Sequence, residues 1–350
     1  MTPWLKRVGF AGAILFLALT VLNASWLASE PKGAVKLIAH RGLYQLYDRT
    51  DLGRDTCTAD RIEPPAHGYL ENTVPSIART AKLGAAMIEI DIAPTKDGKI
   101  AVFHDWTVDC RTEGSGDTRD FTLGELKALD AGYGYTADGG RTFPFRGKGI
   151  GAIPSLQEAL GAVGRARVLY NFKSKNPAEA DLLAAALKAA GRDTGPRGDA
   201  FYGAQGPVDR IRQIFPEAWA FTKDEAVGCS KAYAALGWSS LVPKVCRGRT
   251  IFVPLDYQWA MWGWPNRMIA RMEEHGTRIV VLGPQGEGRP IGLDLPEQLG
   301  DIPASFNGYA MVDDSFAVVP ALIQRFDDRS QAEIDAVADA LERRRARRGD

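Results

Sequence analysis

The sequence predicts a single (β/α)8 barrel behind an N-terminal export segment, and three observations lead there. Short runs rich in β-branched and apolar residues recur eight times, and most are followed by an Ala/Leu-rich helical pattern. The runs are continuously apolar and do not alternate, as strands buried on both faces of a parallel sheet must be. The chain is 350 residues long, 45% apolar and 25% charged, enough for one barrel with a full core and without the signature of disorder. A doubly wound α/β sheet is the alternative, because the helix between the fourth and fifth runs is short and poorly marked. Formal net charge is zero, which gives a nucleic-acid partner no electrostatic support.

In chain order, Lys6 and Arg7 precede an uncharged stretch from Val8 to Ser29, long enough to cross a bilayer. Positive charge ahead of an apolar run predicts a cytoplasmic N-terminus and an exported body, periplasmic or membrane-anchored. A cleaved signal peptide ending near Leu27-Ala28-Ser29 and an uncleaved anchor are both open. Residues 1–32 are therefore set apart from a barrel over 33–330, with insertions at about 43–70 and 110–152 and a helix at 331–350. The strands are VKLIAH (35–40), MIEID (87–91), VLYNFK (168–173), AFYGA (200–204), AWAFT (218–222), TIFVPLD (250–256), RIVVLG (278–283) and YAMVDD (309–314). Helices read at PSIARTAKLG, TLGELKAL, SLQEALGAV, AEADLLAAALKAAG and NRMIARMEEHG, with glycine or a similar stop after most.

The segment KIAVFHD (99–105) lies outside that count. Asp97-Gly98 signals a two-residue hairpin, and with those two as the loop His104 faces Asp91 directly across the strands. Glu89 and Asp91 share that face through the period of two, so two carboxylates and an imidazole converge. The glycine-rich stretch that follows reads as an excursion from the barrel. The C-terminal RSQAEIDAVADALERRRARRGD reads as a solvated helix whose last turn carries cations, where the dipole favours them. Four cysteines, Cys57, Cys110, Cys229 and Cys246, lack zinc-site spacing. In an exported chain their even number suggests disulfides, with 57–110 and 229–246 favoured among three pairings and isolated buried thiols as the alternative.

His40 stands at the end of the first strand, on the face where barrel enzymes place their sites, and Arg41 adds a planar cationic fork suited to phosphate. Two anions side by side at the end of an apolar strand cost several kcal/mol unless a cation or donors compensate them. A hard cation such as Ca2+ or Mg2+ is one solution and salt bridges to Arg or Lys are another. His67 reads as an exposed loop histidine, and His275 as a surface residue near a helix C-terminus. Tyr257, Trp259, Trp262 and Trp264, in DYQWAMWGWPNRM, read as loop packing or as an aromatic wall for a cation or a lipid chain.

Taken in order, HRG, ENT (71–73), EID, TKDG, FHD, the RTEGSG run, DAG, IPSLQEAL and the late VDD resemble the glycerophosphodiester phosphodiesterase family, closely from about 36 to 160 and more loosely to 325. The resemblance implies a divalent-cation-dependent barrel enzyme that releases glycerol 3-phosphate and an alcohol from a glycerophosphodiester. It implies catalytic roles for His40 and His104, and metal ligation by Glu89 and Asp91. It places Arg41, Glu71 and Asn72 in or around the substrate site, and Lys173 toward the phosphate. It further implies attack by the substrate's own glycerol hydroxyl through a cyclic phosphate. The family's usual third acidic ligand is replaced by Asn171, whose amide oxygen can coordinate but carries no charge. The stretch between His40 and ENT is much longer than usual, and a strand that often carries a Trp reads VVLGP. Related phospholipase D-type members make a lysophospholipid or sphingolipid a second substrate reading. A non-catalytic binding protein of the same fold is the third.

Overall fold

The computed structural model describes residues 3–53, 56–286 and 288–348. All eight apolar runs are parallel strands: β1 (Lys36–Ala39), β2 (Met87–Pro94), β4 (Arg167–Phe172), β5 (Ala200–Gly203), β6 (Trp219–Phe221), β7 (Thr250–Pro254), β8 (Arg278–Leu282) and β9 (Tyr309–Val312). β3 (Ile100–Val102) is the antiparallel arm of the hairpin. Backbone ladders run β6-β5-β4-β2-β1-β9-β8-β7, which makes a nearly closed (β/α)8 barrel and not an open doubly wound sheet.

The helices are α1 (Pro3–Asn23), α2 (Val74–Leu83), α3 (Leu123–Ala128), α4 (Leu156–Ala162), α5 (Ala178–Ala189), α6 (Thr194–Arg197), α7 (Gln205–Ile214), α8 (Lys223–Leu236), α9 (Asn266–Glu274), α10 (Ser315–Leu322) and α11 (Gln331–Arg348). Their starts follow from local chemistry. Thr122 with Glu125, Ser155 with Glu158 and Thr222 with Glu225 each form a reciprocal capping box that satisfies two of the first-turn N–H groups. The weakly marked element between the fourth and fifth strands is α7, ten residues that bury Pro207, Val208 and Ile211 against the barrel.

No backbone ladder joins β6 to β7 among the described residues. Side chains close this seam. Ser230, on α8, accepts from the Phe252 N–H at 3.1 Å and donates to its carbonyl at 2.8 Å, satisfying groups that a neighbouring strand would otherwise pair. The Trp219 indole donates to Thr250 Oγ1 at 2.9 Å, and Phe221 meets Phe252 edge to face.

Two expectations are corrected here. The hairpin register is Ile92↔Val102, one residue away from a two-residue loop. Lys96, Asp97 and Gly98 form a three-residue loop, with Gly98 at φ +69 and Thr95 N–H bonded to the Lys99 carbonyl at 2.9 Å. Phe103, not His104, therefore lies opposite Asp91, its N–H on the Asp91 carbonyl at 3.0 Å. α11 is not a solvated helix: Val337, Ala340, Leu341 and Arg344 are buried, and Arg344 is only 3% exposed. Arg344, Arg345, Arg347 and Arg348 are ion-paired to Glu63, Asp294, Glu297 and Asp314.

Disulfides join Cys57 to Cys110 and Cys229 to Cys246. α1 is long and apolar enough to cross a membrane and projects away from the barrel. Its last turn is clasped by Arg271, which donates to the Leu22 carbonyl at 2.8 Å and to Asn23 Oδ1 at 3.0 Å.

The seam gives a stability prediction. Ser230→Ala leaves a half-buried N–H and carbonyl on β7 without their partner, so unfolding free energy should fall by about 1 kcal/mol. Denaturant melts would show this as a lower midpoint at constant slope; an unchanged midpoint would mean that the serine does not close the seam.

Candidate active site

The site lies at the C-terminal ends of the strands. β1 ends at Ala39, and the chain then turns sharply through Arg41 (φ +56) and Gly42 (φ +75). Gly42 is required here, because a Cβ would stand 2.6 Å from Ser76 Oγ. The left-handed Arg41 is held from both sides: its N–H donates to Glu89 Oε2 at 2.8 Å and its carbonyl accepts from the Asn72 N–H at 3.0 Å. Asn72 is itself left-handed at φ +59 and clamps Asp91, donating to Oδ2 at 2.9 Å while its own Oδ1 accepts the Asp91 N–H. Strain of this kind persists only where surrounding bonds over-determine it.

Both predicted histidines are present, each held by a carboxylate. His40 Nδ1 lies 2.5 Å from Asp313 Oδ1, which also accepts from the Tyr44 hydroxyl at 2.6 Å. His104 Nδ1 lies 2.6 Å from Asp105 Oδ1. An ionised carboxylate only accepts, so both rings carry their proton on Nδ1 and present Nε2 as an acceptor. His104 Nε2 receives Arg41 Nη2 at 2.6 Å. Burial, and then the Arg41 charge, lower the His104 pKa to about 4. Burial opposes ionisation of Asp313, yet His40 and Arg49 hold it well below the usual carboxylate range.

Glu89 and Asp91 are both fully buried. Glu89 accepts the Tyr202 hydroxyl at 2.7 Å on its other oxygen. Asp91 has Lys173 at 3.6 Å and the Arg41 guanidinium at 3.7 Å, and Asn171 Nδ2 donates to its Oδ1 at 2.8 Å. Against the cost of burial, Lys173, His104 and Arg41 hold Asp91 far below its ordinary pKa. Glu89 moves the other way, raised by burial and by the charge of Asp91. One anion of the pair is thus compensated and the other is not.

Among the described residues no group of three or more His, Cys, Asp or Glu side chains is placed to hold a metal ion. What converges is two carboxylates and the amide of Asn171, which turns its nitrogen and not its oxygen toward Asp91. The two carboxylates have the chemistry of a hard-cation site, Asn171 joining them only with its amide turned over, and the under-compensated Glu89 is the group a cation would satisfy.

Several residues of this arrangement were not read from the sequence. Asp105 and Asp313 orient the histidines, and their signals were FHD and the VDD after the last strand. Tyr202 reads from sequence only as part of an apolar strand. Arg111, in the RTEGSG run, is 2% exposed and ion-paired to Asp105 at 2.7 Å and Glu71 at 3.2 Å. Glu71 in turn accepts from Arg41 Nη1 at 3.0 Å.

Beside His40 and Tyr202 opens an apolar cavity of about 380 Å3, walled by Phe221, Phe252, Met261 and Leu282. Leu282 belongs to the VVLGP strand. Of the aromatic segment, Tyr257 reaches this cavity and Trp264 packs on Phe306, whereas Trp259 is 82% exposed.

The fold and the strand-end cluster define a (β/α)8 barrel protein with paired histidines and acids at its mouth. Residues 40–193 match the model of the glycerophosphoryl diester phosphodiesterase family. Over 106 residues the chain is 41% identical to the glycerophosphodiester phosphodiesterase of Caldanaerobacter subterraneus, covering 30% of this chain and 40% of that protein. Over 126 residues it is 36% identical to that of Bacillus subtilis, covering 34% and 41%. Over 159 residues it is 31% identical to mouse glycerophosphodiester phosphodiesterase 1, covering 45% and 39%. The similarity thus spans about two fifths of these relatives' length. The fold is shared with the glycerophosphoryl diester phosphodiesterase domain of a Mycobacterium tuberculosis protein, at TM-score 0.56 and 16% identity, over 83% of this chain and 99% of that one.

His67 is corrected from an exposed loop residue: it is half-buried, packed edge to face on Phe316 at 4.9 Å, and its Nδ1 accepts from Gln45 and from the Tyr69 N–H. Burial lowers its pKa to about 4 from 6.5, with Glu333 opposing. The unfolded chain therefore takes up this proton first, so the contribution of His67 to stability is complete above pH 6.5 and is lost as pH falls toward 4. In His67→Gln the melting temperature should depend less steeply on pH across that window. Equal slopes in the two proteins would overturn the assignment.

Proposed function

We propose that this chain is an exported, metal-dependent phosphodiesterase that hydrolyses glycerophosphodiesters to glycerol 3-phosphate and an alcohol. The observation that carries this reading is the pair His40–Asp313 and His104–Asp105, set around the buried Glu89–Asp91 pair in a segment that matches this family. Two imidazoles with fixed tautomers are what in-line displacement at phosphorus needs. One accepts the proton of the attacking oxygen through Nε2. The other, protonated, gives a proton to the departing alkoxide.

Arg41 and Lys173 neutralise the charge that builds on the phosphoryl oxygens, and Glu71 aims the Arg41 fork. Asn72 fixes Asp91. A divalent cation, Ca2+ or Mg2+, held by Glu89, Asp91 and Asn171, would supply Lewis-acid polarisation of the phosphate. The exposed, apolar α1 supports an export signal or anchor within residues 1–32, ahead of a barrel over 33–330 and a C-terminal helix over 331–350. A second reading, a lysophospholipid substrate, draws support from the apolar cavity beside His40.

The test is incubation of the full chain with glycerophosphocholine or lysophosphatidylcholine in Ca2+, Mg2+ or EDTA, with identification of the released glycerol 3-phosphate or choline. Cleavage should need a cation, and His40→Ala or His104→Ala should lower kcat by about 10²–10⁴-fold. No cleavage with any metal, or His40→Ala equal to wild type, would sink the enzyme reading.

Asn171→Glu restores a third carboxylate and should tighten cation binding in calorimetry. Unchanged affinity would remove residue 171 from the coordination shell.

A further inference from the structure

Five side chains form a closed circuit of charge-assisted contacts at the barrel mouth. Arg111 pairs with Asp105 at 2.7 Å, and Asp105 holds His104 Nδ1 at 2.6 Å. His104 Nε2 accepts from Arg41 at 2.6 Å, Arg41 donates to Glu71 at 3.0 Å, and Glu71 returns to Arg111 at 3.2 Å. Four members come from the barrel's own strand ends and their immediate loops. The fifth, Arg111, comes from the glycine-rich excursion.

The position of Arg111 is fixed by covalent and packing constraints that the barrel does not provide. Cys110 precedes it and is bonded to Cys57. Across that bridge the neighbouring residues also meet, Arg111 Nη2 donating to Thr58 Oγ1 at 2.9 Å. Tyr135 accepts from Nη1 behind it. Gly134 lets this strand of the excursion lie directly on Cys110, where a Cβ would stand 2.0 Å from the Cys110 carbonyl oxygen. The excursion and the long insertion are further stitched by Thr136 N–H to the Ala59 carbonyl and Ile62 N–H to the Thr136 carbonyl.

From this geometry we propose that Arg111 is a positioning residue for both halves of the site, and that the Cys57–Cys110 disulfide is the tether that keeps it there. Arg111 touches neither reacting histidine. It acts on His104 through Asp105 and on the phosphate-facing Arg41 through Glu71. A permanently charged, planar fork can bridge two carboxylates at once, which a lysine ammonium does less well. Loss of that bridge frees both carboxylates, so the imidazole and the guanidinium lose their orientation together. The proposal rests on the phosphodiesterase reading for its kinetic consequence and on the ring alone for its spectroscopic one.

The experiment uses the full chain, with Arg111→Met, Arg111→Lys and the double variant Cys57→Ser/Cys110→Ser, and wild type with and without a phosphine reductant. In Arg111→Met, kcat for glycerophosphocholine should fall about tenfold or more with KM nearly constant, because orientation and not substrate affinity is lost. The His104 imidazole titration followed by NMR should move upward once the competing cation leaves Asp105. Arg111→Lys should fall between Met and wild type, and breaking the disulfide should shift both readouts the same way by less. A folded Arg111→Met with wild-type kcat and wild-type His104 titration overturns the proposal. If Arg111→Met does not fold, the lysine variant and the reduced wild type decide by the same two readouts. If wild type cleaves no diester the function reading fails, and the His104 titration still judges the ring.

Discussion

Two carboxylates buried one residue apart on β2 set the terms for the rest of this barrel mouth. Glu89 and Asp91 have no solvent exposure, and an uncompensated pair would cost several kcal/mol. The surrounding structure is organised to meet that cost. Arg41 accepts a left-handed backbone so that its amide can reach Glu89, and Asn72 accepts another so that its side chain can bracket Asp91. Tyr202, from β5, gives its hydroxyl to Glu89, and Lys173, just past β4, lies near Asp91. Strand ends that are distant in sequence are thereby locked around one pair of anions.

The balance of formal charge then follows. Arg41 and Lys173 both lie against Asp91, while Glu89 is met only by the Arg41 amide and the Tyr202 hydroxyl, so the negative charge left over is that of Glu89. A glutamate at position 171 would add a third anion. With asparagine there, the site has less electrostatic reason to hold a dication than a third carboxylate would give it.

Much of the architecture was legible in the sequence because strands buried on both faces leave an unmistakable record: all eight apolar runs became barrel strands. Residues at strand ends were legible for a similar reason, since His40, Glu89 and Asp91 are polar groups interrupting apolar runs. Register was not. Asp97-Gly98 fits both a two-residue and a three-residue loop, and only the backbone, with Gly98 at φ +69 and Lys99 paired to Thr95, separates them. Long-range partners were equally hidden: VDD shows that carboxylates stand at the last strand end, but nothing local ties Asp313 to His40, 273 positions away. The C-terminal helix misled because charge pattern alone cannot distinguish arginines bathed in water from arginines paired with acids such as Asp294 and Glu63, far back along the chain.

The serine-bridged seam between β6 and β7 bears on how the barrel deforms. Elsewhere the wall is stitched by repeated backbone ladders, which resist widening because several bonds must give way at once. Between β6 and β7 only side chains meet, the Trp219 indole on Thr250 and Phe221 on Phe252, with Ser230 of α8 bonded to the Phe252 backbone; Phe221 and Phe252 also wall the apolar cavity. Compliance is thus concentrated along one meridian of the barrel, on the side where a guest molecule would press outward.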